Sequence, residues 1–237
     1  TKEGAEVVLD KTTTNSFGEF EFTVSHDNPI ITIRVMGGSY VDPITNKPVA
    51  VGTNELSAII DIKDNEDKDT RLMTVSLMTT LFTAFVESVD TNTALNTDPY
   101  LYARDVFKNI FLFDPTLDLN RHLLSTAPAT KENNLLTLYD LAFVKMAHDV
   151  NAGSAINLVS AFAESLNETC SLLPYTPVKS GSYTLNADSF VQDYLESLSE
   201  IANLALAVPY TDNVDIADTV GHILESNHFI LGYNDVL

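Results

Sequence analysis

The hydrophobic pattern of this chain changes period once. Up to about residue 65 the apolar positions alternate with polar ones or form short runs. Phe20, Phe22 and Val24 share one face of an alternating segment, with Glu19, Glu21 and Thr23 on the other. That period of two predicts a half-buried antiparallel strand. Ala5 to Leu9, rich in Val, predicts a first strand, Ile30 to Met36 a more buried one, and Glu55 to Ile62 a last one. Between them stand turn signals: His26-Asp27-Asn28-Pro29, the pair Gly37-Gly38, and the stretch from Asp42-Pro43 to Lys47-Pro48. About five short strands with this rhythm predict a small antiparallel β-sandwich over residues 1–69.

From Thr70 onward the spacing becomes three to four. Leu72, Val75, Leu77, Met78, Leu81, Phe82, Phe85 and Val89 predict a nearly buried helix. Further helices are predicted over Tyr100 to Phe111, Lys131 to Val150, Ser154 to Thr169, Ala187 to Ala207 and Ile216 to Ser226. Asp188 suits the positive end of the fifth, and Asp212 and Asp215 suit the start of the sixth. Pro174 to Asn186 reads as a loop. The expected fold class is therefore α+β: a small sandwich of immunoglobulin or transthyretin type, then an all-α domain of five to six helices over residues 70–237. No Gly-, Ser- or Pro-rich linker separates the two, so they are expected to pack together. No 20–50-residue repeat occurs.

Composition narrows the partners. Thirteen basic residues against 33 acidic ones leave a formal charge of −20 over 237 residues, with 45% hydrophobic content. The apolar content is that of a folded chain. The charge repels phosphate backbones and anionic lipid, which argues against nucleic-acid binding. No apolar run approaches the roughly 20 residues of a membrane helix, so direct insertion is not expected. The single cysteine, Cys170, rules out an internal disulfide and reads as a buried thiol beside Leu172 and Leu173. A start at Thr1-Lys2-Glu3-Gly4 without Met is that expected of a processed, exported chain, to which a lipid anchor upstream of Thr1 would be compatible.

Candidate chemistry is sparse. Asp61, Asp64, Glu66, Asp67 and Asp69 form the densest acidic run, and calcium takes six to eight oxygens from such loops. The run lacks the sixth-position Gly and twelfth-position Glu of an EF-hand and contains Lys63 and Lys68, so a solvated loop feeding acids to the next helix explains it as well. Calcium is the one cofactor it suggests. Asp114, Asp118 and Asn120 offer a second such loop, equally explained by Asx turns. Of His26, His122, His148, His222 and His228, no pair has metal-site helical spacing. Ser39 follows Gly37-Gly38, but no nucleophile elbow or phosphate loop is present. Tyr100, Tyr102, Phe107, Phe111 and Phe113 at helical spacing read as core before they read as a ligand groove. Glu3, Val7 and Leu9 mark a segment suited to strand addition onto a neighbouring sheet.

Two passages resemble a known group. Thr14-Asn15-Ser16-Phe17-Gly18-Glu19-Phe20-Glu21-Phe22 is similar to the hairpin of carboxypeptidase-regulatory-like, transthyretin-like β-sandwich modules. Val35-Met36-Gly37-Gly38-Ser39-Tyr40-Val41-Asp42, with Val75-Ser76-Leu77-Met78-Thr79-Thr80-Leu81 after it, resembles bacterial secreted or surface lipoproteins in which such a module leads into a helical region. Leu77 stands where that pattern has Pro, and Asn46 where it has Gly. The resemblance covers roughly Gly4 to Phe85. It implies an extracellular or cell-surface module that is non-enzymatic and carries no catalytic residues. The expected function is thus a structural or adhesive component of a bacterial surface that associates with itself or with other surface proteins. The alternatives are an extracellular calcium- or small-ligand-binding module, and a hydrolase with scattered carboxylates.

Overall fold

A computed structural model of the chain describes residues 8–16, 18–24, 30–62, 73–91, 98–116, 130–169, 178–185, 187–204, 207–211 and 213–225. Within them the fold is mixed α and β, with helices predominating. The strands β1 (Ile30–Met36), β2 (Ser39–Val41), β3 (Pro48–Ala50) and β4 (Glu55–Asp61) are the two arms of one bent hairpin. β1 pairs with β4 from Ile30↔Asp61 to Met36↔Glu55, and β2 pairs with β3 from Ser39↔Ala50 to Val41↔Pro48. Between the two ladders, Gly37 and Gly38 face the four residues Val51 to Asn54, so the hairpin kinks there. Both glycines have φ above +70°, a region that side chains with a Cβ avoid. The Val51 amide donates to the Gly38 carbonyl at 3.1 Å and closes the kink.

The strands therefore pair two by two, in antiparallel sheets. Among the described residues no second sheet packs on the first to make the expected sandwich. Residues 8 and 9, at the end of the predicted first strand, are irregular, and Ala5 to Val7 lie outside the described residues. The alternating segment keeps its expected faces, with Phe20, Phe22 and Val24 partly buried and Glu19, Glu21 and Thr23 exposed. The Phe20 and Phe22 rings stack at 5.8 Å, but residues 18–24 are not in a ladder. Alternation fixes which way side chains point; a strand also needs a partner for its amides.

The helices are α1 (Leu77–Thr91), α2 (Pro99–Phe111), α3 (Lys131–Asp149), α4 (Ala155–Thr169), α5 (Ala187–Ile201), α6 (Val208–Thr211) and α7 (Ile216–Glu225). Their starts follow capping chemistry. Asp98, Thr130 and Asp215 accept from the amides of Leu101, Asn133 and Asp218. Ser76 and Thr79 cap α1 reciprocally, each side chain taking the other's amide. The helix expected over Ala187 to Ala207 ends at Ile201 instead. Tight turns from Asn203 to Glu200 and from Leu204 to Ile201 close it, and α6 restarts around Pro209. The expected loop after Pro174 contains a further hairpin, β5 (Val178–Ser180) and β6 (Tyr183–Leu185).

One continuous core joins these pieces. Val51 and Ile59 of the hairpin belong to it together with Phe82, Phe107, Leu138, Phe162 and Phe190 of the helices. Its aromatic rings mostly meet edge-on or tilted, as their quadrupoles favour, while Phe190 and Tyr194 stack at 6.0 Å. Phe82 and Phe107 lie 5.2 Å apart, Phe111 and Tyr139 5.4 Å, Phe143 and Tyr194 4.6 Å, and Phe162 and Phe190 4.6 Å. Tyr100, Phe107, Phe111 and Phe113 are buried core residues.

Candidate functional site

The acidic run has one described member. Asp61 ends β4, where its backbone amide donates to the Tyr100 hydroxyl oxygen at 3.2 Å. Asp64, Glu66, Asp67 and Asp69 lie outside the described residues. Among the described residues no group of three His, Cys, Asp or Glu side chains is placed to hold a metal. Asp114 forms the Asx turn expected of it, accepting from the Thr116 amide and hydroxyl at 3.0 and 2.6 Å, with the Lys108 ammonium at 3.6 Å. Asp118 and Asn120 lie outside the described residues. So do Glu3 and Val7, and Cys170 as well. Leu9 is described and exposed, beside Val8 at 65% exposure.

Two places do bring together polar side chains from distant parts of the sequence. The first is the buried start of α1. The Thr79 hydroxyl donates to the Ser57 carbonyl of β4 at 2.9 Å, and the Ser57 amide donates to the Thr80 hydroxyl oxygen at 2.9 Å. The Asp140 carboxylate, on α3, accepts from the Met78 amide at 3.0 Å. A helix N-terminus presents amides without intrahelical partners, and a carboxylate there is favoured by both hydrogen bonding and the helix dipole. This seam is buried throughout and fastens β4, α1 and α3 together. Its groups are satisfied by one another, so it reads as structural.

The second is the turn from α3 to α4, residues Val150 to Ser154, where both hairpins end. The tip of the long hairpin turns from Val41 to Pro48, with Asp42 and Lys47 closing it through a 2.9 Å backbone hydrogen bond. Asp42 is buried, and its Oδ1 accepts from the amides of Ile44 and Thr45 at 2.9 and 2.8 Å. Its Oδ2 lies 3.6 Å from Nε2 of His148, in the last turn of α3. Tyr40 stands beside it, its phenol pushed up by burial and then by the Asp42 charge. The Ser154 hydroxyl comes near that phenol without completing a hydrogen bond, and accepts the Asn157 amide at 3.2 Å as a cap for α4. At the kink, the Asn54 amide donates to the Asn157 side chain at 2.7 Å.

The short hairpin reaches the same turn from the other side. Ser180 donates to the Ala152 carbonyl at 2.8 Å, and both the amide and the hydroxyl of Ser182 donate to the Asn151 carbonyl. Gly181, at φ +59°, lies so close that a Cβ there would stand 2.7 Å from the Ala152 backbone. The sequence reading missed this junction. Ser180-Gly181-Ser182 between Val178 and Tyr183-Thr184-Leu185 is a legible two-residue hairpin signal. The pairing of Asp42 with His148 has no local signal, because the two are 106 positions apart in sequence.

His222 donates from Nε2 to the Asn109 carbonyl at 2.5 Å, tying α7 to α2. Ser39 is exposed on β2. No helix among the described residues is long and apolar enough to cross a membrane. Comparison with known proteins adds no relative: no family model, no curated protein and no solved structure matches this chain.

Proposed function

We propose that this protein is a non-enzymatic structural or adhesive component of a bacterial cell surface, assembling with further copies or with other surface proteins. The observation that carries the reading is the distribution of exposed apolar side chains in the N-terminal third. Val8 and Leu9 are exposed on an irregular segment, and Met36 and Val41 stand 71% and 59% exposed on the long hairpin. A chain that bears a formal charge of −20 and still exposes large aliphatic groups on its N-terminal segment and long hairpin is suited to pairing with strands of other chains. The two-stranded hairpin is half of what a sandwich requires, and a neighbour's strand would extend it. The resemblance of the Gly37-Gly38 passage to surface lipoprotein modules points the same way, as does the extracellular location it implies.

The test is light scattering with electron microscopy of the protein at high concentration, with and without a calcium chelator. Oligomers, filaments or arrays are the expected result, and their loss on removing residues 1–10 assigns the N-terminal segment to the contact. A strict monomer at every concentration overturns the reading. Dissolution by chelator brings the acidic run from Asp61 to Asp69 into the contact as a calcium site.

A further inference from the structure

The two edges of the outer ladder are unequal. The Asp42 amide donates to the Lys47 carbonyl at 2.9 Å and the Val51 amide to the Gly38 carbonyl at 3.1 Å, in the register that sets Tyr40 opposite Val49. Bonded and non-bonded pairs alternate along an antiparallel ladder. Gly38, Tyr40 and Asp42 therefore turn their backbone groups toward β3, and Ser39 and Val41 turn theirs away from it. On the opposite edge Pro48 and Ala50 face outward in the same way. That edge is blunted, because Pro48 has no N–H to offer. The β2 edge keeps both amides and both carbonyls. Ser39 and Val41 are exposed, and among the described residues no backbone hydrogen bond outside the ladder uses them. The edge is also bounded. Pro43, the next residue to face outward, lacks an N–H, and Gly37 and Gly38 at φ above +70° turn the chain out of the strand.

We propose that the β2 edge pairs with the same edge of a second copy, antiparallel, about a two-fold axis at Tyr40. The inference rests on the assembly reading above and names its contact. Self-complementarity selects a second copy as the occupant. With Ser39 of one copy opposite Val41 of the other, and the reverse, every outward amide and carbonyl of both edges is used in four hydrogen bonds, the isologous arrangement of a closed dimer. A slip of two residues brings Pro43 or the glycine kink into the ladder and forfeits bonds, which pins the register. Charge points to the same place. Two chains of formal charge −20 repel each other over most of their surfaces. Residues 35–54, however, carry one acid, the buried Asp42, and one base, Lys47, so two copies approach here at least electrostatic cost. The exposed positions of the outer ladder, Ser39, Val41, Pro48 and Ala50, are all uncharged. Pairing lays Val41, 59% exposed, beside Ser39 of the second copy and takes part of its aliphatic surface out of water.

The experiment is sedimentation equilibrium of the intact chain, unmodified and as Val41→Pro and Ala50→Pro, joined to residue-resolved hydrogen exchange over the same concentrations. Each proline deletes one outward amide and leaves the bonds between β2 and β3 in place. Dimers are expected for the unmodified chain and for Ala50→Pro. Val41→Pro is expected to associate at least about tenfold more weakly, since each copy loses one donated hydrogen bond. In the unmodified chain the Ser39 and Val41 amides are expected to gain protection as concentration rises, while the Ala50 amide does not. That readout needs no variant, so it decides the matter even if a proline lowers the melting temperature. Exchange at Ser39 and Val41 that is the same at every concentration overturns the pairing, as does undiminished association of a folded Val41→Pro. Oligomers that form without protecting these two amides overturn this contact alone and leave the assembly reading to the N-terminal segment. A strict monomer at every concentration overturns both.

Discussion

The two halves of the long hairpin share a chain segment, a pairing direction and similar strand propensity, yet the structure uses them differently. The inner ladder is part of the core: Ile59 packs among the helices, and Ser57 exchanges hydrogen bonds with Thr79 and Thr80 at the start of α1. The outer ladder is half-exposed and rests on Asp42, Tyr40, Ile44 and, at the kink, Asn54. Strand pairing alone is a weak anchor, since a two-stranded hairpin is marginal in water. What decides rigidity is the area each half buries against the helices.

That contrast is broken most directly by truncating one aliphatic side chain in each half. Ile59→Ala is expected to lower unfolding stability by about 2–5 kcal/mol, the cost of a cavity in a close-packed interior. Val49→Ala, in the outer ladder, is expected to cost less than about 1 kcal/mol because the site is already open to water. Chemical denaturation of the two variants checks the pair, and equal losses would show that the outer half is as much a part of the core as the inner.

Alkaline pH probes the helical side. Tyr139 and Tyr194 are buried, and burial pushes both phenols up, with Tyr139 and Asp140 adding to the effect at Tyr194. Their values in the folded chain stand above that of an unfolded tyrosine, so the stability they contribute is whole below about pH 10 and is lost as pH climbs beyond it. The expected loss approaches about 1.4 kcal/mol per pH unit for each phenol. Absorbance at alkaline pH is expected to show these two ionising together with unfolding; early, reversible ionisation of all nine tyrosines would contradict it.

Gly181→Ala tests the short hairpin's seat on the α3–α4 turn. Positive φ and a Cβ 2.7 Å from the Ala152 backbone together predict a loss of about 1–3 kcal/mol. Retained melting temperature would mean that the turn moves aside at little cost. The smallest effect is expected for Asn54→Ala, which removes the hydrogen bond to Asn157 at the kink. A cost near 1 kcal/mol is typical of such a bond, with raised hydrogen exchange confined to residues 37–54.

Much of the helical part was legible because its signals are local. Apolar spacing placed α1 to α5 and α7, with the starts of α2 to α5 and α7 within a residue of those expected and Asp215 capping α7, whereas the first helix, expected to include Leu72 and Val75, begins only at Leu77. The end of α5 was misplaced by six residues, since Leu204 and Ala207 continue the apolar pattern after the backbone has tightened at Ile201. The alternation around Phe20 and Phe22 gave the correct faces but not a strand, and β5 and β6 passed as loop because three-residue strands carry little periodicity. The acidic run attracted attention by density, whereas the polar groups that the fold brings together are scattered: Asp140 with Met78, Asp42 with His148, and Asn54 with Asn157.

By itself the sequence determined the change from alternating to helical period, the turn at Gly37-Gly38, the caps, and a strongly acidic surface. These follow from backbone sterics, short-range hydrogen bonding and composition, which act within a few residues. Only the tertiary structure decided that four short strands make one kinked hairpin, that its inner half joins the helical core, and that its tip meets the end of α3. Those outcomes depend on which distant surfaces exclude water together, a property of the packed chain that no local window contains.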